Sequence, residues 1–212
     1  MAESVIDSVT GRAAAIAASV AGAPDRNVRE CILDAADRLF YLHGINATGV
    51  DTIAVEAGVS KRTLYKHFTS KEGLAAAYLA RRAMHSVDSP GDPLEQILAV
   101  FDGLERRFAS KRFRGCPFVN AVCELGADPA HAAVVEAARF KARRRDWFHA
   151  RLQALGAPDP DTLADQMLII VDGATAVSAV RGGDPQVART ARRAARVLLA
   201  HAGVIGPASP GA

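Results

Sequence analysis

Residues 50–68, with the sequence VDTIAVEAGVSKRTLYKHF, constrain the fold of this chain more than any other stretch. A short apolar helix pattern ends at Gly58, a residue that can adopt a left-handed backbone and turn the chain sharply. Ser60 is placed to cap a second helix, in which Leu64 and Phe68 lie four residues apart and point inward together. The stretch therefore predicts a helix-turn-helix.

The outward face of the second helix is basic and rich in hydroxyl groups. Its side chains are Lys61, Arg62, Thr63, Tyr65 and Lys66. Arg and Lys bind guanine edges and phosphates in the major groove, and Thr and Tyr hydroxyls bind phosphate oxygens. Double-stranded DNA is therefore the leading candidate ligand. The alternative is an ordinary helix pair with a solvated basic face, which occurs in many all-helical proteins.

Helical patterns flank this stretch on both sides. Apolar residues at helical spacing predict a helix over 27–43, with Asn27 and Glu30 spaced as a capping box. After the stretch, Ser70 can cap a further helix that begins at Lys71. A cation at that position opposes the helix dipole, and a nearby DNA phosphate would resolve the conflict.

Many residues of this region together form a recognisable set. They are Arg29, Glu30, Ile32, Leu33, Ala35, Ala36, Leu39, Phe40, Gly44, Thr48, Ile53, Ala54, Ala57, Gly58, Val59, Ser60, Leu64, Tyr65, His67, Phe68, Ser70, Lys71, Glu72 and Leu74. The set resembles the N-terminal DNA-binding domain of the TetR family of bacterial one-component transcriptional regulators. This resemblance implies a three-helix DNA-binding domain on a larger helical domain that dimerises and binds a small effector. The DNA contacts that it implies are Thr48, Lys61, Arg62, Thr63, Tyr65, Lys66, His67 and Lys71.

Four Asp-Pro dipeptides mark helix starts in the rest of the chain, because Asp caps a helix and Pro suits its first turn. They predict helices over 93–110, 129–155, 160–181 and 185–202, with a shorter helix over 117–125. The predicted fold is all-α, with a helix-turn-helix DNA-binding domain at 27–72 and a helical effector-binding and dimerisation domain at 73–202. Residues 1–26 are predicted to be a flexible arm, and residues 203–212 a disordered tail.

The last two predicted helices suggest self-association. The helix over 160–181 is apolar around most of its circumference, and the helix over 185–202 carries an apolar stripe beside a face of arginines. An intramolecular core accounts for the same pattern. The family resemblance favours a homodimer through both helices, and a two-fold dimer matches a palindromic operator.

Aromatic and sulfur-containing side chains between 101 and 175 indicate a candidate effector site. The candidate residues are Phe101, Phe108, Cys116, Phe118, Val119, Asn120, Cys123, Trp147, Met167, Val171 and Asp172. A cavity among them would be mainly apolar. The alternative for each is the ordinary hydrophobic core. Cys116 raises a second possibility, a regulator that senses electrophiles or oxidants, against the simpler interpretation of a structural cysteine.

Other classes of protein find little support in the sequence. The chain contains no GxSxG, phosphate-binding Gly loop, HExxH or CxxC motif, so we predict neither an enzyme nor a cofactor or metal site. An architectural DNA-binding protein is a further alternative, but such a protein would be smaller and more basic than this chain, whose net charge is +3.

The sequence also indicates a cytoplasmic location. Its three cysteines form no disulfide framework, and Glu3 and Asp7 acidify the region that would be basic in a signal peptide. The apolar run over 167–180 is too short for a membrane span and contains Asp172. The sequence as a whole predicts a cytoplasmic, dimeric repressor that a small apolar effector releases from DNA.

Overall fold

A computed structural model of the chain describes residues 27–84, 91–126 and 128–206. These described residues form nine α-helices and no strand, which confirms the predicted all-α class. The helices are α1 (Val28–His43), α2 (Val50–Glu56), α3 (Lys61–His67), α4 (Lys71–Met84), α5 (Pro93–Phe108), α6 (Pro117–Leu125), α7 (Ala132–Ala154), α8 (Pro160–Val180) and α9 (Pro185–His201). The predicted arm at 1–26 and residues 207–212 of the predicted tail lie outside the described residues.

Three of the four helix starts predicted from Asp-Pro dipeptides are confirmed. Asp92 accepts a hydrogen bond from the backbone N–H of Glu95 at 2.8 Å, and the Glu95 carboxylate accepts one from the N–H of Asp92 at 3.3 Å. Asp159 and Asp184 likewise accept backbone N–H groups in the first turns of α8 and α9. Each proline occupies the first turn, where its missing N–H has no partner to lose.

The fourth predicted start, at 129, is wrong, because α7 begins at Ala132. Asp128 closes a separate turn by accepting the N–H two residues further along at 2.9 Å. His131 then caps α7 through Nδ1, which accepts the N–H of Ala133 at 3.2 Å. A local side-chain turn therefore uses the carboxylate that was expected to cap the helix.

The start of α1 also differs in detail from the prediction. Asn27 caps α1, but its side chain accepts the N–H of Arg29 at 3.1 Å. The Glu30 carboxylate, which was expected to complete a capping box, lies 3.7 Å from the Arg81 guanidinium of α4. Glu30 therefore contributes to the contact between α1 and α4.

Two buried clusters organise the helices. The first combines α1 to α4 with one face of α6 and the start of α7, and the second combines α5, α8 and α9 with the C-terminal half of α7. Helix α4 packs against both α1 and α7. The predicted domain boundary between 72 and 73 therefore falls inside a helix that contacts both parts of the chain.

The second cluster extends past α9. Val204 and Ile205 are partly buried against it, although they fall within the predicted disordered tail at 203–212. These two side chains therefore pack on the helical domain, since their burial removes apolar surface from water.

Helix α8 is the one helix of the described ranges that is long and apolar enough, by length and composition, to cross a membrane. Its 21 residues exceed the apolar run at 167–180 on which the sequence argument relied. This property is weak support for a membrane span, because core helices share it. Leu163, Met167 and Val171 of α8 are buried in the second cluster.

Candidate functional site

Helices α2 and α3 form the predicted helix-turn-helix. Gly58 between them has a φ of 67°, in the left-handed region that favours glycine. Ser60 accepts the backbone N–H of Thr63 at 3.0 Å and so caps α3. Leu64 and Phe68 are buried in the first cluster. The turn, the cap and the inward face all agree with the sequence prediction.

The outward face of α3 presents cationic and phenolic groups to solvent. Arg62 and Lys66 are exposed, and neither has an ion pair or hydrogen-bond partner among residues 27–84, 91–126 and 128–206. Tyr65, 41% exposed, lies on the same helix, and His67 at its end is half-buried. Double-stranded DNA can therefore contact Arg62 and Lys66 without breaking an ion pair or hydrogen bond within the described residues.

Lys61, at the start of α3, differs because it is paired. Its ammonium lies 3.0 Å from the Asp51 carboxylate of α2, and both side chains are exposed. The hydrogen bond from Lys61 to Asp51 raises the pKa of Lys61, so the side chain stays protonated. The Asp51 carboxylate therefore engages one of the three ammonium protons and offsets the positive charge that Lys61 would present to a phosphate.

We therefore expect Asp51→Asn to strengthen DNA binding severalfold, because it frees Lys61 and removes an anion that repels phosphate. A fluorescence-anisotropy titration with operator DNA measures the change. Asp146→Asn, which neutralises an exposed carboxylate on α7, is the matched control and should leave the affinity unchanged. Weaker binding by Asp51→Asn would mean that the pair orients Lys61 for DNA instead of withholding it.

Thr48, also a predicted DNA contact, differs because its hydroxyl is engaged inside the protein. Its side chain is only 4% exposed, and its hydroxyl donates a hydrogen bond to the Gly44 carbonyl at 2.6 Å. While this hydrogen bond holds, the only hydroxyl proton is not available to a phosphate oxygen. Thr48 instead stabilises the loop between α1 and α2. The Thr63 hydroxyl, also a predicted contact, lies 2.8 Å from the Ser60 hydroxyl.

Lys71 lies beside this loop, where its ammonium donates to the Asn46 carbonyl at 3.3 Å. Asn46 in turn holds the loop to the end of α6. Its backbone N–H donates to the Glu124 carboxylate at 3.1 Å, and its side-chain amide donates to the Glu124 carbonyl at 2.6 Å. Sequence reasoning missed this link because 78 residues separate the two partners and no local signal joins them.

A cavity of about 980 Å³ lies among α1, α4, α5, α6, α7 and α8. Five of the predicted effector residues line it, namely Cys116, Phe118, Trp147, Val171 and Asp172. The volume suits a small organic ligand.

The other six predicted effector residues lie elsewhere. Phe101, Phe108 and Met167 are buried in the second cluster, so the ordinary core interpretation is correct for them. Val119 and Cys123 are exposed on α6, and the Asn120 side chain donates to the Arg114 carbonyl at 2.8 Å.

The prediction of a mainly apolar cavity is wrong, because ionised side chains form much of its wall. They are Glu30, Asp34, Asp37, Arg81, Arg82, Arg106, Arg107, Lys141, Arg144 and Asp172. Several are paired between helices: Arg82 lies 2.7 Å from Asp37, and Arg81 lies 2.8 Å from Asp34. The sequence argument considered only residues 101–175 and therefore missed the wall that α1 and α4 supply.

Comparison with known proteins identifies the family. Residues 32–78 match the family described as "Bacterial regulatory proteins, tetR family". The solved structure of a TetR-family transcriptional regulator from Streptomyces coelicolor superposes with a TM-score of 0.73 and is 30% identical. The match covers 82% of this chain and 95% of that one. The chain belongs to the TetR family.

Two curated relatives of this TetR-family chain come from Escherichia coli (strain K12). The HTH-type transcriptional repressor ComR is 30% identical over 167 residues, covering 72% of this chain and 80% of ComR. The HTH-type transcriptional regulator YjdC is 28% identical over 179 residues, covering 81% of this chain and 93% of YjdC. The chain is thus a helix-turn-helix transcriptional regulator whose relatives are regulators and not enzymes, and DNA is its partner.

Proposed function

We propose that this chain is a cytoplasmic, homodimeric repressor that binds a palindromic operator through α3 and leaves it when a small molecule occupies the cavity. The observation that carries the DNA-binding part is the exposed face of α3, on which Arg62 and Lys66, beside Tyr65, have no ion-pair partner in the described parts of the chain. Lys61, Thr63, His67 and Lys71 complete the proposed contact set. Repression is supported by the relationship to ComR, which is named a repressor.

The homodimer is supported by an exposed apolar stripe on α8. Ile169 and Val180 are 69% and 90% exposed, and Gly173 and Ala176 lie between them. The four positions are spaced by four, three and four residues, so they share one helix face. A Cβ added at Gly173 would meet no atom within 4 Å, so the stripe has room for a closely packed partner helix.

Helix α9 extends this apolar surface. Ala194 and Val197 are exposed on α9, and Val197 is 60% exposed. Helices α8 and α9 pack against each other within the chain. Two copies of this pair would form a four-helix interface and remove the exposed side chains from water.

Release by an effector has two physical routes in this fold. The cavity is lined by Arg81 and Arg82 of α4, the helix that follows directly on the helix-turn-helix. It is also lined by Phe118 of α6, whose other end holds Asn46 through Glu124. In the proposed dimer the two α3 helices must lie about 34–36 Å apart, or a multiple of that, to enter successive major grooves. A ligand that displaces either α4 or α6 would change this separation.

A gel-shift titration with the DNA upstream of the chain's own gene tests the proposal. A repressor should bind one short palindrome at nanomolar concentration and resist competition by unrelated DNA. Equal binding to every DNA fragment would indicate an architectural protein, and no binding would contradict the proposal. Cys116 lines the cavity, but no other observation on the described residues favours the alternative of a redox- or electrophile-sensing regulator.

Lys71→Ala should weaken binding equally for all operator sequences, because a phosphate contact carries no sequence information. The slope of log affinity against log salt should flatten by about 0.9 for each phosphate that the variant no longer binds, or about 1.8 for a dimer in which each half binds one phosphate fewer. Salt titrations of wild type and variant measure this difference. An unchanged slope would show that Lys71 serves only to hold the Asn46 carbonyl.

A further inference from the structure

Six cations line the cavity against four carboxylates, and the ion pairs leave three of the cations without a carboxylate partner in the described parts of the chain. Four carboxylates are present, and each lies within 4 Å of Arg81, Arg82 or Lys141. The pairs are Glu30–Arg81, Asp34–Arg81, Asp37–Arg82 and Asp172–Lys141. The acids of the wall are therefore already engaged by three of its six cations.

The other three cations, Arg106, Arg107 and Arg144, have no carboxylate within 4.0 Å among the described side chains. Arg107 donates one hydrogen bond, to the Gly115 carbonyl at 3.3 Å. Arg144 of α7 lies over the Phe140 ring at 5.7 Å and has no hydrogen-bond partner in that part of the chain. A guanidinium group that no carboxylate already pairs binds an incoming carboxylate well, because its paired N–H donors match the two oxygens.

The charges around Arg144 favour the binding of an anion. Burial lowers the pKa of Arg144 and the positive charge of Arg107 lowers it further, against a smaller opposing effect of the Asp172 carboxylate. Both effects disfavour the charged guanidinium, which nevertheless remains protonated at neutral pH. A bound anion would offset the repulsion and replace part of the lost hydration.

Apolar and aromatic surface lies beside these cations. Phe118 and Phe140 stack with their ring centroids 3.7 Å apart, and both line the cavity together with Trp147. A ligand that contacts both kinds of surface needs an acidic group and an apolar body.

We propose that the effector is an organic carboxylate, with its acidic group bound by Arg144 and Arg107 and its apolar body against Phe118, Phe140 and Trp147. This inference rests on the proposed function, since it names the chemical class of ligand for the same cavity. The ion pairs of Arg81 and Arg82 with α1 line the same cavity, so a carboxylate that reached these arginines would also compete for the contacts that join α1 to α4.

Isothermal titration calorimetry with the full-length protein tests the inference. The probes are 2-naphthoate and its neutral counterpart 2-naphthamide, which share the same two-ring body. We expect the naphthoate to bind and the amide to bind much more weakly. Arg144→Met should weaken naphthoate binding by about ten- to a hundredfold, and Arg144→Lys by less, because Lys keeps the charge but lacks the paired donors.

Arg143→Met is the matched control, since Arg143 neighbours Arg144 on α7 but is exposed and does not line the cavity. It should leave naphthoate binding unchanged. Operator binding by every variant, measured by gel shift, verifies that the fold is intact. Equal affinity for naphthoate and naphthamide, an unchanged affinity in Arg144→Met, or no naphthoate binding at millimolar concentration would overturn the inference.

The same samples distinguish this inference from the proposed function. Naphthoate binding that depends on Arg144 but does not release operator DNA would support the carboxylate site and contradict effector-controlled repression. If naphthoate weakens operator binding, operator DNA should weaken naphthoate binding by the same factor, about 5- to 150-fold.

Discussion

Ile169→Glu should convert the protein into a monomer and lower its operator affinity by roughly a hundredfold or more. Ile169 is 69% exposed in the single chain, so a glutamate there is solvated and leaves the monomer folded. In the proposed dimer the same carboxylate would be buried without a partner, at a cost on the order of several kcal/mol. Sedimentation velocity gives the oligomeric state, and a gel shift gives the DNA affinity.

Gln153→Glu is the control for this experiment. It adds the same single negative charge at an exposed position of α7, outside the two helices of the proposed interface. This variant should remain a dimer with wild-type DNA affinity. A dimeric Ile169→Glu protein with normal operator binding would exclude α8 from the interface, and a monomeric wild type at micromolar concentration would exclude the dimer itself.

Arg62→Ala should weaken operator binding by about 1–3 kcal/mol per half-site and relax the preference at one base pair of each half. This energy corresponds to a decrease of about five- to 150-fold for each half-site, and so of about 30- to 25,000-fold for a dimer that loses the contact in both halves. The reason is that Arg62 is exposed on α3 and has no ion-pair partner among the described residues, so its guanidinium is free to bind a guanine edge. Binding measured against every single-base variant of the operator gives the result.

Lys71→Ala serves as the comparison, because removal of a phosphate contact should weaken all of these operator variants by one common factor. If Arg62→Ala also weakened them uniformly, Arg62 would be a backbone contact. An operator affinity unchanged in Arg62→Ala would show that Arg62 does not contact DNA.

The helix-turn-helix could be predicted because its signals are local. The left-handed Gly58, the Ser60 cap and the buried Leu64 each depend on residues within a few positions of one another. The Asp-Pro helix starts succeeded for the same reason at α5, α8 and α9. At α7 two local structures competed for Asp128, and sequence reasoning had no means of deciding between a cap and a turn.

Thr48 shows a second limit of sequence reasoning. A threonine in a loop beside the recognition helix fits a phosphate contact, and the family resemblance implied that role. Its hydroxyl instead donates to the Gly44 carbonyl, a choice that depends on how the chain turns after α1. The residue type determines which hydrogen bonds a side chain can form, while the fold determines which partner accepts them.

The cavity was the hardest part to predict because its wall combines six helices. Sequence reasoning selected aromatic residues, of which Phe118 and Trp147 line the cavity while Phe101 and Phe108 fill the core. It gave no role to Arg144, which stands in a run of three arginines typical of a solvated face. Only the packing of α7 against its neighbours distinguishes Arg144 from the exposed Arg143.

Hydroxyl-radical footprinting of an operator selected from random DNA tests the central claim most directly. Two α3 helices in a two-fold dimer should protect two symmetric half-sites on one face of the duplex, with centres about 34–36 Å apart or a multiple of that. The protected sequence should be palindromic about the midpoint between them. A single protected patch, or protection without sequence preference along the whole fragment, would contradict a dimeric repressor that reads an operator through α3.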